Sequence, residues 1–230
     1  MKNTPHLSDP DVRIPVGGAY LHGDLHLSPE TPSVVLFAHG SGSSRHSSRN
    51  QAVAQVIRDH DCGTLLFDLL TQDEEIEDHA TAALRFNIGL LAQRLVAATH
   101  WIRNRCEPDH LKIGYFGSST GGAAALVAAA ELGKEIGAVV SRGGRPDLAG
   151  PAISRVESPT LLIVGEYDEE VLRLNTSAFK KLECEKDLKI VPAATHLFEE
   201  KGALQIVSRL AAEWFQEHLE AGVSSKFMSR

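Results

Sequence analysis

Residues 111 to 130 read LKIGYFGSSTGGAAALVAAA and contain a Gly-x-Ser-x-Gly pattern that begins at Gly117. The apolar run from Leu111 to Phe116 predicts a strand, and the small residues after the pattern predict a helix. Glycines two residues on either side of Ser119 permit a strained strand-to-helix turn and close packing of the helix. The segment therefore predicts a sharp turn with Ser119, rather than Ser118, at its apex.

The rest of the chain repeats this order of strand and then helix. Short runs rich in β-branched and apolar residues predict strands at Asp11 to Val16, Ala19 to Leu27, Ser33 to His39, Thr64 to Asp68, Leu111 to Phe116, Ile136 to Ser141, Thr160 to Val164 and Leu188 to Val191. The later runs have few polar interruptions, as is typical of strands covered on both faces.

Apolar residues recur with helical spacing between several of these strands. Steps of four and three from Leu84 to Ile102 predict one stripe of a long amphipathic helix. The residues Val207 to Phe215 predict a C-terminal helix with a similar face. Val53 to Ile57 predict another helix, which Ser47 or Ser48 can cap. Alternating strands and helices predict an α/β fold of three layers, with about eight mostly parallel strands, helices on both faces and an antiparallel leading edge.

The chain length and composition predict one globular domain over residues 1–230, with flexible tails at 1–10 and 222–230. Of the 230 residues, 43% are hydrophobic and 23% are charged, which is ordinary for a globular protein. The first residues lack the apolar core of a secretory signal, and the longest apolar run, residues 123–130, is far too short to span a membrane. We therefore expect a cytoplasmic protein without a membrane partner.

Charge and potential metal ligands exclude further classes. The 30 acidic residues outnumber the 23 basic residues, for a formal net charge of −7, which argues against nucleic acid as the main partner. The odd number of widely spaced cysteines, Cys62, Cys106 and Cys184, fits a reducing compartment. The 11 histidines form no recognisable metal motif, so no metal site is predicted. The acidic run from Asp73 to Asp78 is interpreted as a solvated loop before the long helix.

One acid and one histidine follow predicted strands downstream of Ser119. Asp168 comes after Thr160 to Val164, and His196 comes after Leu188 to Val191. A serine at its free pKa is a poor nucleophile and needs a base that an acid orients. Serine, then aspartate, then histidine is a known order of these groups along a chain. We therefore predict Ser119 as the nucleophile, His196 as the general base and Asp168 as the orienting acid.

Other acids compete with Asp168 for this role. They are Glu166, Glu169 and Glu170 beside it, and Asp147 after the preceding strand. Asp168 is preferred because its position after a Gly-x-x turn suits a short acid that reaches a histidine Nδ1.

Two backbone N–H groups are candidates to stabilise an oxyanion. The N–H of Thr120 lies at the predicted helix N-terminus, where the helix dipole adds to the attraction. The second donor is expected in the glycine-rich loop from His39 to Ser44, with the N–H of Ser41 preferred over that of Gly42. His39 itself is interpreted as a structural anchor of this loop.

Arginines stand close to these segments. Arg45 and Arg49 follow the glycine-rich loop, and Arg142 and Arg145 follow a later strand. Up to four guanidinium groups can thus border one pocket mouth and favour a substrate that carries a carboxylate or phosphate. The alternative is that they pair with local acids, as Arg145 can with Asp147, and hold loops in place.

Several motifs together carry a family resemblance. They are His39-Gly40-Ser41-Gly42-Ser43-Ser44-Arg45-His46, Gly114-Tyr115-Phe116-Gly117-Ser118-Ser119-Thr120-Gly121, Ser141-Arg142-Gly143-Gly144-Arg145-Pro146-Asp147-Leu148 and Thr195-His196-Leu197-Phe198. Through them, the chain from about Val12 to Leu219 resembles the α/β-hydrolase superfamily, in its small dienelactone-hydrolase-like branch. It looks like the bacterial hydrolases found alone or fused to a phosphoribosyltransferase domain.

The resemblance implies the α/β-hydrolase fold and the triad, but not a substrate. Dienelactone hydrolases proper carry a cysteine nucleophile where this chain has Ser119, so their lactone substrate is not carried over. Only about 18 residues separate Ser141 from Thr160, too few for a helical lid domain, so an open site is expected.

These features predict a serine hydrolase that cleaves small carboxylic esters or thioesters and needs no cofactor. Its substrate is expected to be a small-molecule ester, with an anionic group if the arginines line the pocket. Peptidase, lactonase and acyltransferase activities stay open, whereas dehalogenases and epoxide hydrolases are disfavoured because those relatives have aspartate in place of Ser119. The alternative is a ligand-binding or accessory module that keeps the fold without turnover.

Overall fold

A computed structural model describes residues 7–28, 31–105 and 111–219. The predicted C-terminal tail, 222–230, and residues 1–6 of the N-terminal one lie outside these ranges, as does Cys106. The first strand begins at Leu7, so its first four residues belong to the segment 1–10 for which flexibility is predicted. Within the described ranges, no helix is both long and apolar enough to cross a membrane.

In the described ranges, eight strands form one sheet, and the predicted α/β architecture is confirmed. The strands are β1 (Leu7–Val16), β2 (Ala19–Leu27), β3 (Ser33–Ala38), β4 (Gly63–Phe67), β5 (Lys112–Ser118), β6 (Ile136–Arg142), β7 (Thr160–Gly165) and β8 (Lys186–Val191). Their order across the sheet is β1-β2-β4-β3-β5-β6-β7-β8. The pairs β1–β2 and β2–β4 are antiparallel, and the remaining pairs are parallel. The two leading strands thus form the predicted antiparallel edge.

Helices cover both faces of this sheet. They are α1 (Ser48–Arg58), α2 (Gln72–Thr81), α3 (Ile88–Arg105), α4 (Thr120–Leu132), α5 (Glu169–Lys181) and α6 (Ala203–Leu219). Helices α1 and α6 pack on one face, and α3, α4 and α5 pack on the other. Of the two serines that were candidates for the cap of α1, Ser47 is the N-cap and accepts from the N–H of Asn50.

Strand β3 shows why the sequences of the central strands are continuous apolar runs. Its residues alternate between the two faces, so that Val34 and Leu36 join the core under α3 and α4, whereas Val35 and Phe37 join the core under α1 and α6. Both sets are buried. A strand covered on both faces needs apolar side chains in both directions.

The acidic run at residues 73–78 is helical, and its interpretation as a solvated loop is wrong. Helix α2 begins with a capping box in which Thr71 and Glu74 each accept from the other's backbone N–H. Asp78 is buried and accepts from the N–H groups of Leu84 and Arg85 and from the Arg85 guanidinium. Polar contacts hold this helix, so a search for apolar periodicity misses it.

The segment between β6 and β7 contains no α-helix, in agreement with the predicted absence of a lid. It forms a 3-10 helix at Pro146–Arg155 that bends at Gly150. This connection therefore places no α-helical lid over the carboxyl ends of the central strands.

Candidate active site

The predicted site residues follow the carboxyl ends of parallel strands. The glycine-rich loop leaves β3, Ser119 follows β5, Arg142 ends β6, Asp168 follows β7 and His196 follows β8. Parallel strands place all these ends at one edge of the sheet, where ligands of open α/β sheets bind.

Ser119 occupies the predicted turn between β5 and α4. Its backbone has φ 52° and ψ −121°, a left-handed conformation that is rare for a residue with a side chain. Its N–H donates to the carbonyl of Arg142 at 3.2 Å, and its own carbonyl accepts from the N–H groups of Gly122 and Arg145. The turn is therefore held in place from both sides.

The glycines of the motif are required by close packing. A Cβ atom at Gly117 would lie 2.5 Å from the carbonyl oxygen of Gly121, and one at Gly121 would collide with the carbonyl of Ala38. The start of α4 therefore packs directly on the ends of β3 and β5. This contact projects Ser119 from the sheet edge.

His196 and Asp168 are joined by a hydrogen bond. The Nδ1 atom of His196 lies 2.6 Å from Oδ2 of Asp168. The Asp168 side chain is 14% exposed and that of His196 is 39% exposed, so the carboxylate is less accessible to solvent than the imidazole ring. The proton of a neutral imidazole then sits on Nδ1, and Nε2 is left as an acceptor.

The two competing acids with resolved contacts have other partners. Glu166 accepts from the N–H of Ala193 at 2.7 Å and thereby holds the loop that carries His196. Asp147 accepts two hydrogen bonds from Arg145. These bonds hold the pKa of Asp147 below its usual range and raise the pKa of Arg145.

Ser119 and His196 line one pocket of about 240 Å³. Ser41, Arg49 and Arg142 are also part of its wall. Among the described residues, the Ser119 hydroxyl has no hydrogen-bond partner, and no bond joins it to His196. Such contacts are often long in ligand-free enzymes and shorten when a substrate binds.

The glycine-rich loop runs beside Ser119. A Cβ atom at Gly40 would lie 3.0 Å from the Cβ of Ser119, so the loop backbone approaches the serine closely. Within the described chain, the N–H groups of Ser41 and Thr120 donate to no protein acceptor. His39 bonds to the Gly40 carbonyl and to the N–H of Leu69, which is the anchoring contact expected of it.

A second pocket of about 540 Å³ also has part of this loop in its wall. Ser41 and Thr120 are part of its wall, together with Glu75 of α2 and Arg85. Burial and, secondarily, the Asp68 carboxylate raise the pKa of Glu75. The two candidate oxyanion donors therefore lie where a substrate can extend into this larger space.

The four candidate arginines do not share one environment. Arg45 pairs with Asp68 and with Asp24, and Arg145 pairs with Asp147. Neither Arg45 nor Arg145 lines the pocket that holds Ser119 and His196. These two side chains therefore fit the alternative in which the arginines pair with local acids and hold loops in place.

Arg49 and Arg142 do line that pocket. Arg49 reaches Glu199 at 2.8 Å, whereas Arg142 is 7% exposed and has no carboxylate within 4 Å in the described ranges. Asn50 contacts Arg142, and the sequence does not indicate this role, because a single asparagine after a helix cap carries no signal for that contact. The structure also describes no cluster of three His, Cys, Asp or Glu side chains suited to a metal ion.

Comparison with known proteins gives a consistent assignment. The profile described as the dienelactone hydrolase family matches residues 28–220. A crystal structure of a dienelactone hydrolase from Anabaena variabilis is 55% identical in sequence and has a TM-score of 0.88, with 91% of this chain and 97% of that chain covered. An esterase of Pyrococcus furiosus shares the fold at 17% identity, with a TM-score of 0.69 and coverage of 91% and 90%.

Curated relatives include a longer protein. A Mycobacterium tuberculosis (strain H37Rv) protein named "Putative phosphoribosyl transferase" is 49% identical over 215 residues, which is 94% of this chain and 48% of the relative. The chain thus spans about half the length of the curated relatives it matches.

Proposed function

The chain belongs to the dienelactone hydrolase family, and on that premise we propose that it is a serine hydrolase of small carboxylic esters or thioesters. The reaction passes through an acyl-enzyme on Ser119. The phosphoribosyl transferase name belongs to relatives about twice the length of the matched segment.

One geometric observation carries this proposal. The imidazole of His196 is bonded through Nδ1 to the Asp168 carboxylate, and it shares a pocket with Ser119, whose backbone is in a left-handed conformation. A nucleophile on a strained turn, together with a base oriented by an acid, is the arrangement that acyl transfer requires. A binding module has no need for either feature.

The first chemical step is the attack of the Ser119 hydroxyl oxygen on the acyl carbon. The Nε2 atom of His196 takes the hydroxyl proton, and Asp168 stabilises the imidazolium that forms. His196 then returns the proton to the leaving alcohol or thiol as the tetrahedral intermediate collapses. Water attacks the acyl-enzyme by the same route and releases the acid.

Two backbone donors stabilise the tetrahedral oxyanion. The N–H of Thr120 lies at the first residue of α4, and the N–H of Ser41 lies in the adjacent loop. Such preorganised donors contribute more at the developing oxyanion than at the neutral carbonyl. Each step thus uses the chain's own groups and water.

Labelling with a fluorophosphonate probe tests the proposal directly. We expect the unmodified protein and a Ser177→Ala control to be labelled and to hydrolyse p-nitrophenyl butyrate. Ser177 is exposed on α5 and lies outside the pocket that holds Ser119. Ser119→Ala should remain unlabelled and lose turnover. An unmodified protein that stays unlabelled would favour the ligand-binding module instead.

A further inference from the structure

A buried arginine without a counterion lies beside the proposed nucleophile. Arg142 ends β6, and its guanidinium is almost completely removed from solvent. Its Nε and Nη1 atoms have no hydrogen-bond partner in the described chain, and Nη2 reaches Oδ1 of Asn50 at 3.5 Å, the outer limit of a hydrogen bond. A buried charge in this state is costly unless something else pairs with it.

The neighbouring charges make this environment more positive. Arg49 lies on the same pocket wall, and within the described part of the chain it contacts one carboxylate, that of Glu199, which is 63% exposed. Burial and, secondarily, the charge of Arg49 lower the pKa of Arg142 to about 10. Arg142 therefore stays protonated at neutral pH, and of these two cations only Arg49 contacts a carboxylate in the described ranges.

Other contacts of Arg142 do not offset its charge. The Phe198 ring lies 5.7 Å from the guanidinium carbon, which is near the outer range of a cation–π contact. The second acid near the pocket, Asp168, is already bonded to His196. The pocket thus has a surplus of positive charge on the wall formed by β6 and α1.

This cationic wall is within reach of the reacting atoms. Ser118 and Arg142 are paired in register on adjacent strands, and Arg142 lines the same pocket as Ser119 and His196. A pocket of about 240 Å³ holds a short acyl group or leaving group. An anionic group on such a substrate can meet the guanidinium while its carbonyl lies at Ser119.

We propose that Arg142, assisted by Arg49 and oriented by Asn50, binds an oxyacid group of the substrate, a carboxylate or a phosphate. The inference rests on the proposed function, because it assigns the specificity of that same pocket. A planar guanidinium with free N–H groups matches both anions, with charge-assisted hydrogen bonds. Of the four arginines noted in the sequence, these two are the ones placed to do so.

A pair of matched esters tests this specificity. Mono-p-nitrophenyl glutarate and p-nitrophenyl valerate have acyl groups of equal length, but only the glutarate ester carries a free carboxylate. We expect kcat/KM to favour the glutarate ester, and Arg142→Met to reduce that preference by at least about tenfold. Arg142→Lys should restore part of it, because lysine keeps the charge but loses the planar fork.

A control variant separates this effect from a general loss of positive charge. Arg209 is exposed on α6 and pairs with Glu213, so Arg209→Gln should keep the full preference. Arg142→Met should melt at an equal or higher temperature, because it removes a buried charge without a carboxylate partner. An unmodified protein that hydrolyses both esters equally, or a preference that survives in Arg142→Met, would overturn the inference.

A binding measurement keeps this test independent of turnover. Calorimetric titration of glutarate and of inorganic phosphate into Ser119→Ala, with and without Arg142→Met, should show binding that Arg142 supports. Binding of glutarate alone would identify a carboxylate, and binding of phosphate alone a phosphorylated substrate. If neither anion binds while neutral esters are hydrolysed, the proposed function stands and the anion site is refuted. If anions bind but no ester is hydrolysed, the anion site stands and the proposed chemistry fails.

Discussion

The Nε2 atom of His39 accepts a hydrogen bond from the backbone N–H of Leu69 at 3.1 Å. The opposite ring nitrogen, Nδ1, lies 3.0 Å from the carbonyl oxygen of Gly40, to which it donates. A single neutral imidazole therefore ties the start of the glycine-rich loop to the segment after β4. Protonation would break the Leu69 contact, because both ring nitrogens would then be donors.

This contact makes folding sensitive to acid. Burial lowers the pKa of His39, whereas the unfolded chain binds a proton on this residue below a pH of about 6.5. The free energy of unfolding should therefore fall as the pH decreases below that value, by at most about 1.4 kcal/mol per pH unit for this group. At higher pH, the contribution should be constant. Urea unfolding at pH 8 and at pH 5.5 measures the difference.

Replacement of His39 isolates its share of this acid sensitivity. His39→Gln should unfold with a smaller difference between the two pH values, because glutamine does not titrate. The exposed His100 on α3 provides the control, and His100→Gln should behave as the unmodified protein does. Equal pH differences in all three proteins would contradict the assignment.

The strained backbone of Ser119 predicts a gain in stability from a mutation that abolishes activity. Glycine adopts the observed φ of 52° without steric cost, whereas serine and alanine do not. We expect Ser119→Gly to raise the free energy of unfolding by about 1 kcal/mol. Ser119→Ala should give no such increase, although both variants lose ester hydrolysis. Equal stability of the two variants in urea would show that the turn is unstrained.

The contact between Asp168 and His196 predicts a graded effect among the acids. Asp168→Asn should lower kcat on p-nitrophenyl butyrate by about 10³- to 10⁴-fold, as loss of the orienting carboxylate does in serine proteases. Glu166→Gln should lower kcat much less, because its amide oxygen can still accept from the N–H of Ala193. If Glu166→Gln had the larger effect, Glu166 would be the orienting acid instead.

The close approach of Gly40 to Ser119 predicts a selective loss of activity. A Cβ atom at this position would lie 3.0 Å from the Cβ of Ser119 and 3.2 Å from the carbonyl oxygen of Ser118. A shift of a few tenths of an ångström relieves that contact, so Gly40→Ala should lower kcat about tenfold with a small change in melting temperature.

A second glycine separates local geometry from the general effect of an added methyl group. Gly89 lies in α3, where the nearest atom to a new Cβ is Oδ1 of Asn87 at 3.7 Å. Gly89→Ala should therefore stabilise the protein by about 0.5–1 kcal/mol and leave kcat unchanged. Parallel loss of kcat in both variants would argue against a specific role of the glycine-rich loop.

Much of the fold could be predicted from local patterns. Strands such as β3 are buried on both faces, which produces a continuous apolar run that is visible without any tertiary information. Helix α2 could not be recognised in this way, because its stability comes from a capping box and from the contact of Asp78 with Arg85. A run of acidic residues occurs both in solvated loops and in a helix of this kind, so the run alone does not distinguish between them.

The sequence by itself determined the positions of Ser119, Asp168 and His196, because each follows a strand and parallel strands end at one edge of the sheet. Only the tertiary structure decided which arginines have counterions. Arg45 meets Asp68, 23 residues away in the chain, while Arg142 meets no carboxylate in the described ranges. The reason is physical: the positions of strands along the chain follow from local apolar patterns, whereas the partner of a long charged side chain depends on which loops from separate strands come within a few ångströms of it.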